Sequence, residues 1–308
     1  MDPLFRMVSG LRAQGLFSLR LSMSAPWSVD IDDGAPLTVI AVDRGSAWLA
    51  GPGEQLHLVA GQVALVAHGP RYLVADDPDR MPTVRITQGG ECVALSETMR
   101  STKHRGLLTW GNHDDGHDQL LVGTYASTSQ VGRHLTEQLP DFTVLPPGSV
   151  DEALLALLRR ELADAKAGHG FVIDRLLDVV VASAVRAAGP FVGPGWLSGT
   201  LDPTIAGVLE LIHESPERPW SVPTLAAAVH VSRSGLSARF RDSVGETPAR
   251  YLMRLRLTLA ADALIATDDG LETIARRVGY GSAFSFSSAF KVFHGVSPSQ
   301  YRRAALMG

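Results

Sequence analysis

The side chains best placed for chemistry are those that would point outward from two short stretches near the end of this chain. Around Ser232–Asp242 a helical spacing sets Leu236 and Phe240 on one side and leaves Ser234, Ser237, Ala238 and Arg241 on the other. Fifty residues later Phe286 and Phe290 repeat the inner pair, and Ala283, Phe284, Ser287 and Ser288 form the outer set. Hydroxyls, small apolar groups and a guanidinium are recognition chemistry. They donate, accept and make contact, but none is a nucleophile with a base beside it.

Each such face needs a helix to carry it and a second helix to fix that one. Ahead of the first, a positioning helix is predicted at about Pro223–Val229, with Leu225, Ala226 and Val229 inward; Ala226, Ala227 and Ala228 allow close crossing. A turn at His230–Val231 follows, and Ser232 stands where an N-cap belongs. Ahead of the second, Ile274, Ala275 and Val278 line the positioning helix, Gly279 supplies a helix end with positive φ, and Ser282 is the cap. Gly295 ends that second outward helix, and Ser297-Pro298 starts a last short one. Two helix-turn-helix units result, at Val222–Asp242 and Leu271–His294. Between them Thr247–Ala266 reads as one amphipathic helix with Tyr251, Leu252, Leu255, Leu259, Ala260, Ala263 and Leu264 inward. Such a helix spans roughly 30 Å, close to the roughly 34 Å of one duplex turn, so it suits two helices held in successive major grooves.

Residues 202–303 resemble the DNA-binding domain of the AraC/XylS family of transcriptional regulators. The resemblance is carried by Ile274, Ala275, Val278, Gly279, Tyr280, Ser282, Phe286, Ser287, Phe290, Lys291, Gly295, Ser297, Pro298, Tyr301 and Arg302. It implies that the exposed N-terminal half of each second helix meets base edges: Arg233, Ser234, Ser237 and Ala238 in one unit, Ala283, Phe284, Ser287 and Ser288 in the other. Arg233 can grip a guanine bidentately, whereas a serine hydroxyl discriminates little and Ala or Phe meets only a thymine methyl. The first unit is therefore expected to discriminate sequence, and the second to lean on phosphate and shape. Phosphate partners are expected at Arg241, Arg250, Arg254, Lys291, Arg302 and the amides at the helix starts. Arg239 and Arg276 are expected to be ion-paired within the domain. The competing reading of this region is a helical bundle with no DNA role.

Charge is divided between the two parts of the chain. After residue 200 there are 12 Lys and Arg against 10 Asp and Glu, and before it 16 against 22, so a tail near +2 follows a body near −6. That tail implies modest non-specific affinity, raised by two units per chain. With 308 residues, 45% hydrophobic and 19% charged, the chain has room for two cores. No apolar run is long enough to span a membrane. The start, Met1–Gly15, reads as a short amphipathic helix rather than a signal peptide. One cysteine, Cys92, allows no internal disulfide, which suits the cytoplasm.

From Leu16 to about Val144 short apolar runs alternate with Gly, Pro and Asp turns. Strands are predicted at Phe17–Met23, Leu37–Asp43, Ser46–Ala50, Gln55–Val59, Gln62–Val66, Tyr72–Ala75, Thr83–Gln88, Glu91–Ser96, Leu107–Trp110 and Leu120–Tyr125. The run Leu56–Gly69 resembles the turn of a cupin jelly roll, and Ala25–Pro78 resembles the cupin-type sensor ahead of many AraC-like tails. Helices are predicted at Val150–Ala167 and Phe171–Ala188, the second apolar on most faces. The expected architecture is α+β and multidomain: a cupin-like β-barrel (jelly roll) over 1–148, a helical pair over 149–189, a linker over 190–201 and the all-α tail over 202–308. Trp196 and Leu197 are expected to dock part of that linker. The resemblance implies a homodimer through the helical pair; intramolecular packing alone is the other reading.

Metal and acid–base chemistry find little footing. His57 and His68 lie eleven apart, no His-x-His occurs, and Tyr72 stands where a further histidine would follow. The loop His113-Asp-Asp-Gly-His117-Asp118 holds donors suited to zinc or nickel but reads as a polar loop. Glu91, Glu97, His104 and His113 make no acid–base spacing, and Cys92 reads as a small buried hydrophobe. No catalytic residue, metal or cofactor is expected. The reading reached is a sequence-specific transcription regulator whose barrel binds a small-molecule effector, the effector shifting how the two tails are held. RNA polymerase joins the partners if the regulator activates. The alternatives are a constitutive regulator whose barrel only dimerises, and a cupin-type enzyme fused to a DNA-binding tail.

Overall fold

The computed structural model describes residues 3–11, 14–88, 90–95, 103–104, 108–127, 129–163 and 166–305. They form two compact units, one from Arg12–Thr128 with Leu139–Phe191, the other from Met1–Leu11, Ser129–Gln138 and Val192–Gly308.

Two sheets make the first unit. One runs β10 (Lys103–His104), β11 (Thr109–Gly111), β1 (Gln14–Met23), β12 (Asp118–Ser127), β3 (Leu37–Arg44), β6 (Val63–Ala67) and β13 (Phe142–Leu145) in spatial order. The other runs β5 (Glu54–Val59), β4 (Ser46–Gly51), β7 (Tyr72–Ala75), β2 (Ser28–Asp32), β8 (Val84–Thr87) and β9 (Cys92–Ala94). Pairing is antiparallel except for β1 with β11 and β2 with β8. Strands expose alternate side chains to opposite faces, so Leu21, Ile40 and Leu120 from one sheet meet Val29, Leu49 and Val74 from the other, and Trp27, Tyr72, Trp110 and Phe142 fill the space between. This is the cupin-like, mixed α+β architecture expected.

The strand reading missed β2, β10 and β13. In β2 the signal is hidden by Asp30, a residue that strands seldom bury. Asp30 is only 4% exposed. It is tolerated there because Arg71 donates to both its oxygens, at 2.9 and 2.7 Å, and Arg85 Nε adds a third bond at 2.7 Å. Those bonds, Arg71 foremost, hold its carboxyl below the ordinary range. Ser96, Glu97 and Leu107, parts of the expected strands and acid–base set, lie outside the described residues. Cys92 corrects its expectation: the edge strand β9 leaves it exposed. Two helices complete this unit, α3 (Glu152–Ala163) and α4 (His169–Ala188); residues 164 and 165 of the predicted first helix are outside the description.

The second unit contains α5 (Trp196–Gly199), α6 (Pro203–Glu214), α7 (Val222–Ala228), α8 (Arg233–Val244), α9 (Pro248–Ala266), α10 (Leu271–Arg277), α11 (Ala283–His294) and α12 (Pro298–Ala305). Two further helices belong with it, α1 (Pro3–Leu11) and α2 (Gln130–Thr136). Both lie in the stretch expected to be sensor. Their apolar residues Met7, Val8, Val131 and Leu135 are buried. Polar contacts fix them as well: Arg6 Nη2 donates to the His213 carbonyl at 2.6 Å, and the Asp262 carboxylate of α9 accepts from the Gln130 and Val131 amides at 2.7 and 3.1 Å. The expected linker is half docked, since Trp196 is fully buried and its Nε1 donates to the His134 carbonyl at 3.3 Å.

Candidate nucleic-acid interface

Short side chains fix both outward helices at their starts. Ser232 Oγ accepts the Gly235 amide at 3.1 Å and Ser282 Oγ the Ser285 amide at 3.2 Å, so each hydroxyl satisfies one orphan donor of its helix. Gly245 and Gly295 end the helices in the left-handed region, at φ 81° and 77°. Thr247-Pro248 and Ser297-Pro298 then start the next helices fifty residues apart. The turns differ. His230 bends at φ 57° where the second unit uses Gly279 at φ 85°. Gly279 is required there, because a Cβ would stand 2.6 Å from the Glu217 carbonyl and 2.7 Å from Arg256.

Behind the outward faces lies an aromatic core. Phe286 and Phe290 pack edge-on at 5.5 Å, and Phe290 meets Tyr301 at 5.4 Å; Phe240 and Tyr251 make the corresponding contact at 5.8 Å in the first unit. Leu257, Ala260, Ala261 and Leu264 of α9 close the second unit's core against Ile274, Ala275 and Val278. The rod between the outward helices is therefore clamped, and its 19 residues measure about 28 Å along the axis.

Exposure sorts the expected contacts. In α8, Arg233, Ser234, Ala238 and Arg241 are exposed and Ser237 is half-buried. In α11, Phe284, Ser288 and Lys291 are exposed, Ala283 and Ser287 half-buried; Phe284 is 84% open. The Ser288 hydroxyl donates to the Phe284 carbonyl at 3.0 Å, which leaves it only lone pairs to offer. Arg250 is exposed beside Glu246 at 3.6 Å.

Two expected phosphate contacts turn inward. Arg302 donates through Nε to the Leu264 carbonyl at 3.0 Å and through Nη2 to that of Asp269 at 2.7 Å, so it ties α12 to the end of α9. Arg254 is half-buried and bonded to Glu246. Arg239 donates to the Thr204 hydroxyl at 3.2 Å rather than to a carboxylate, and Arg276 has no ion pair within bonding distance among the described residues. Sequence reasoning overlooked Glu272, whose Oε2 accepts the Ala283 amide at 3.0 Å. A carboxylate eleven residues before a helix start carries no local pattern that would have flagged it.

Four histidines of the cupin-like unit have partners within it. His57 stacks on Trp48 at 4.7 Å, His68 pairs with Asp141 at 2.8 Å, and His113 accepts the Asp115 amide at 3.2 Å. His117 pairs with Asp118 at 2.8 Å, and the other Asp118 oxygen takes Trp27 Nε1 at 2.9 Å. Among the described residues no group of three or more His, Cys, Asp and Glu converges as a metal site.

The sequence matches the family described as Cupin over residues 2–188, and the Helix-turn-helix domain over 225–304. A putative AraC-like transcription regulator of Streptomyces antibioticus is 31% identical to it, covering 98% of this chain and 99% of its own length. The chain is a member of the AraC-like family of transcription regulators. A second AraC-like relative, from Streptomyces lividans, is 31% identical over the whole of both chains. Among solved structures, the DNA-binding domain of AdpA in complex with a target DNA is 32% identical over 33% of this chain and 92% of its own, with a TM-score of 0.32. The two family matches and the two Streptomyces relatives make this AraC-like regulator a DNA-binding transcription regulator with a cupin domain ahead of its helix-turn-helix domain. None of its described helices is long and apolar enough to cross a membrane.

Proposed function

We propose that this AraC-like regulator sets Arg233, Ser234, Ser237 and Ala238 against base edges in one major groove and Ala283, Phe284, Ser287 and Ser288 against those in the next. Arg241, Arg250 and Lys291 hold phosphates, while Arg254 and Arg302 act within the fold. One observation carries the reading: two capped helices with exposed outward faces stand on a clamped rod whose length approaches one duplex turn. Full-chain footprinting across a genome tests it, because α1 and α2 are packed into the helical unit and a trimmed tail would lack them. The expected result is paired protection one helical turn apart on one duplex face. No protected duplex even in dilute salt sinks the reading.

The regulator acts by binding alone, in the cytoplasm with the chromosome, as a homodimer through α3 and α4. Its cupin unit receives a small apolar or aromatic effector that shifts the way the tails are held, and RNA polymerase is the further partner where it activates. A constitutive regulator is the second reading, favoured by the burial of Trp27, Tyr72 and Trp110 in the core between the two sheets. A rise in the cupin unit's melting temperature with an effector found from the regulated genes separates the two.

A further inference from the structure

The two reading units match closely in plan and differ in charge at several aligned positions, among them Ala227 against Arg276, Ala228 against Arg277 and Arg233 against Ala283; one further difference lies beside a helix start. Their positioning helices are seven residues each. Aligning the buried pair Leu225-Ala226 with Ile274-Ala275 sets Pro223 opposite Glu272. Glu272 is exposed, and its carboxylate reaches across the turn to the Ala283 amide at 3.0 Å. Arg277 on the same helix pairs with Asp269 instead. Ser282 meanwhile takes the Ser285 amide. The start of α11 therefore already answers to a hydroxyl and a full negative charge of its own chain. Pro223 gives the start of α8 no such charge.

A helix start carries about half a positive charge, which favours an approaching phosphate. A carboxylate bonded there occupies a donor and repels the backbone of any duplex the helix enters. We infer that Glu272 is a specificity-determining residue: it weakens the second unit's hold on phosphate, so that α8 anchors the protein and α11 engages only where groove shape and bases favour it. This rests on the DNA-contact reading above, and it revises the expectation that the second unit leans on phosphate.

The test compares Glu272→Gln and Pro223→Glu in the full chain. Gln keeps an acceptor for Ala283 without the charge; a glutamate in the first turn of α7 suits that helix electrostatically. Binding is read by anisotropy on a labelled random-sequence duplex about 30 bp long and on a footprinted site. At about 0.1 M salt, where an exposed charge is partly screened, E272Q binds the random duplex about three- to ten-fold tighter. Its salt dependence steepens, and the ratio of specific to random affinity falls. P223E loosens binding by a similar factor with its melting temperature kept. Wild-type affinity and salt slope in E272Q overturn the inference, and E272Q decides alone if P223E fails to fold. Failure of the wild-type chain to bind any duplex overturns the DNA-contact reading instead.

Discussion

Arg233 is the only planar donor fork among the eight outward positions proposed for base edges, so the first unit is expected to discriminate base pairs more strongly than the second. Exchanging Arg233 and Ser237 for alanine is expected to lower discrimination at the first half-site by about 1–3 kcal/mol, with a smaller effect from Phe284→Ala and Ser288→Ala. Binding to base-substituted duplexes measures both, and the reverse order would overturn the ranking. A second residue sets a pH limit. His213 is fully buried, its Nε2 2.7 Å from the Tyr251 hydroxyl and its Nδ1 unpartnered among the described residues. Burial foremost, then the nearby Arg6 and His134, pushes it down from 6.5 to about 3. Between those values the unfolded chain binds the extra proton, so stability is full above pH 6.5 and falls as pH drops towards 3. The loss from this group is about 1.4 kcal/mol per pH unit at most. His213→Gln, which keeps a partner for Tyr251, should lose less stability than wild type between pH 6.5 and pH 5 in urea unfolding. Equal losses in both proteins would remove His213 as the cause.

Among the elements, α2 depends on a partner far along the chain. It is seven residues long and starts on the carboxylate of Asp262 as well as on its own Ser129 cap. Asp262→Ala leaves two amides without that acceptor and is expected to cost about 1–2 kcal/mol. Faster amide exchange at Gln130 and Val131 should accompany it, with Asp262→Asn in between. Unchanged exchange would show that Ser129 suffices. The same contact explains what the sequence hid. Elements held by local rules were legible: Ser232, Ser282, Thr247 and Pro298 announce helix starts, and the apolar spacing of α9 announces its length. A loop between strands that joins another unit through Asp262, or a strand that keeps Asp30 beneath two arginines, depends on residues scores of positions away. Local pattern carries no trace of such partners. Within the interface, exposure and capping were readable from spacing. The inward turn of Arg302, towards two carbonyls freed where α9 ends, was not.

For the molecule as a whole, affinity for DNA depends on whether one chain or two arrive together. One face of α4 is buried through Ile173, Leu177, Val180 and Val181, while Phe171 and Val179 remain 71% and 51% exposed on the other. On α3, Leu154, Leu155 and Leu157 are only half-buried. A seam of such half-open apolar side chains would gain by burying itself against a second copy, at roughly 25 cal/mol for each Å² removed from water. Pairing then makes the second tail's binding intramolecular and raises affinity by roughly 10²-fold or more at a two-site target. Val179→Asp places a charge in the seam without touching the buried face. It is expected to convert a dimer sedimenting at micromolar concentration into a monomer, and to remove most of that gain at two-site duplexes while sparing single sites. A wild-type chain that sediments as a monomer would dispose of pairing through α3 and α4. A variant that stays dimeric would move the contact elsewhere on the molecule.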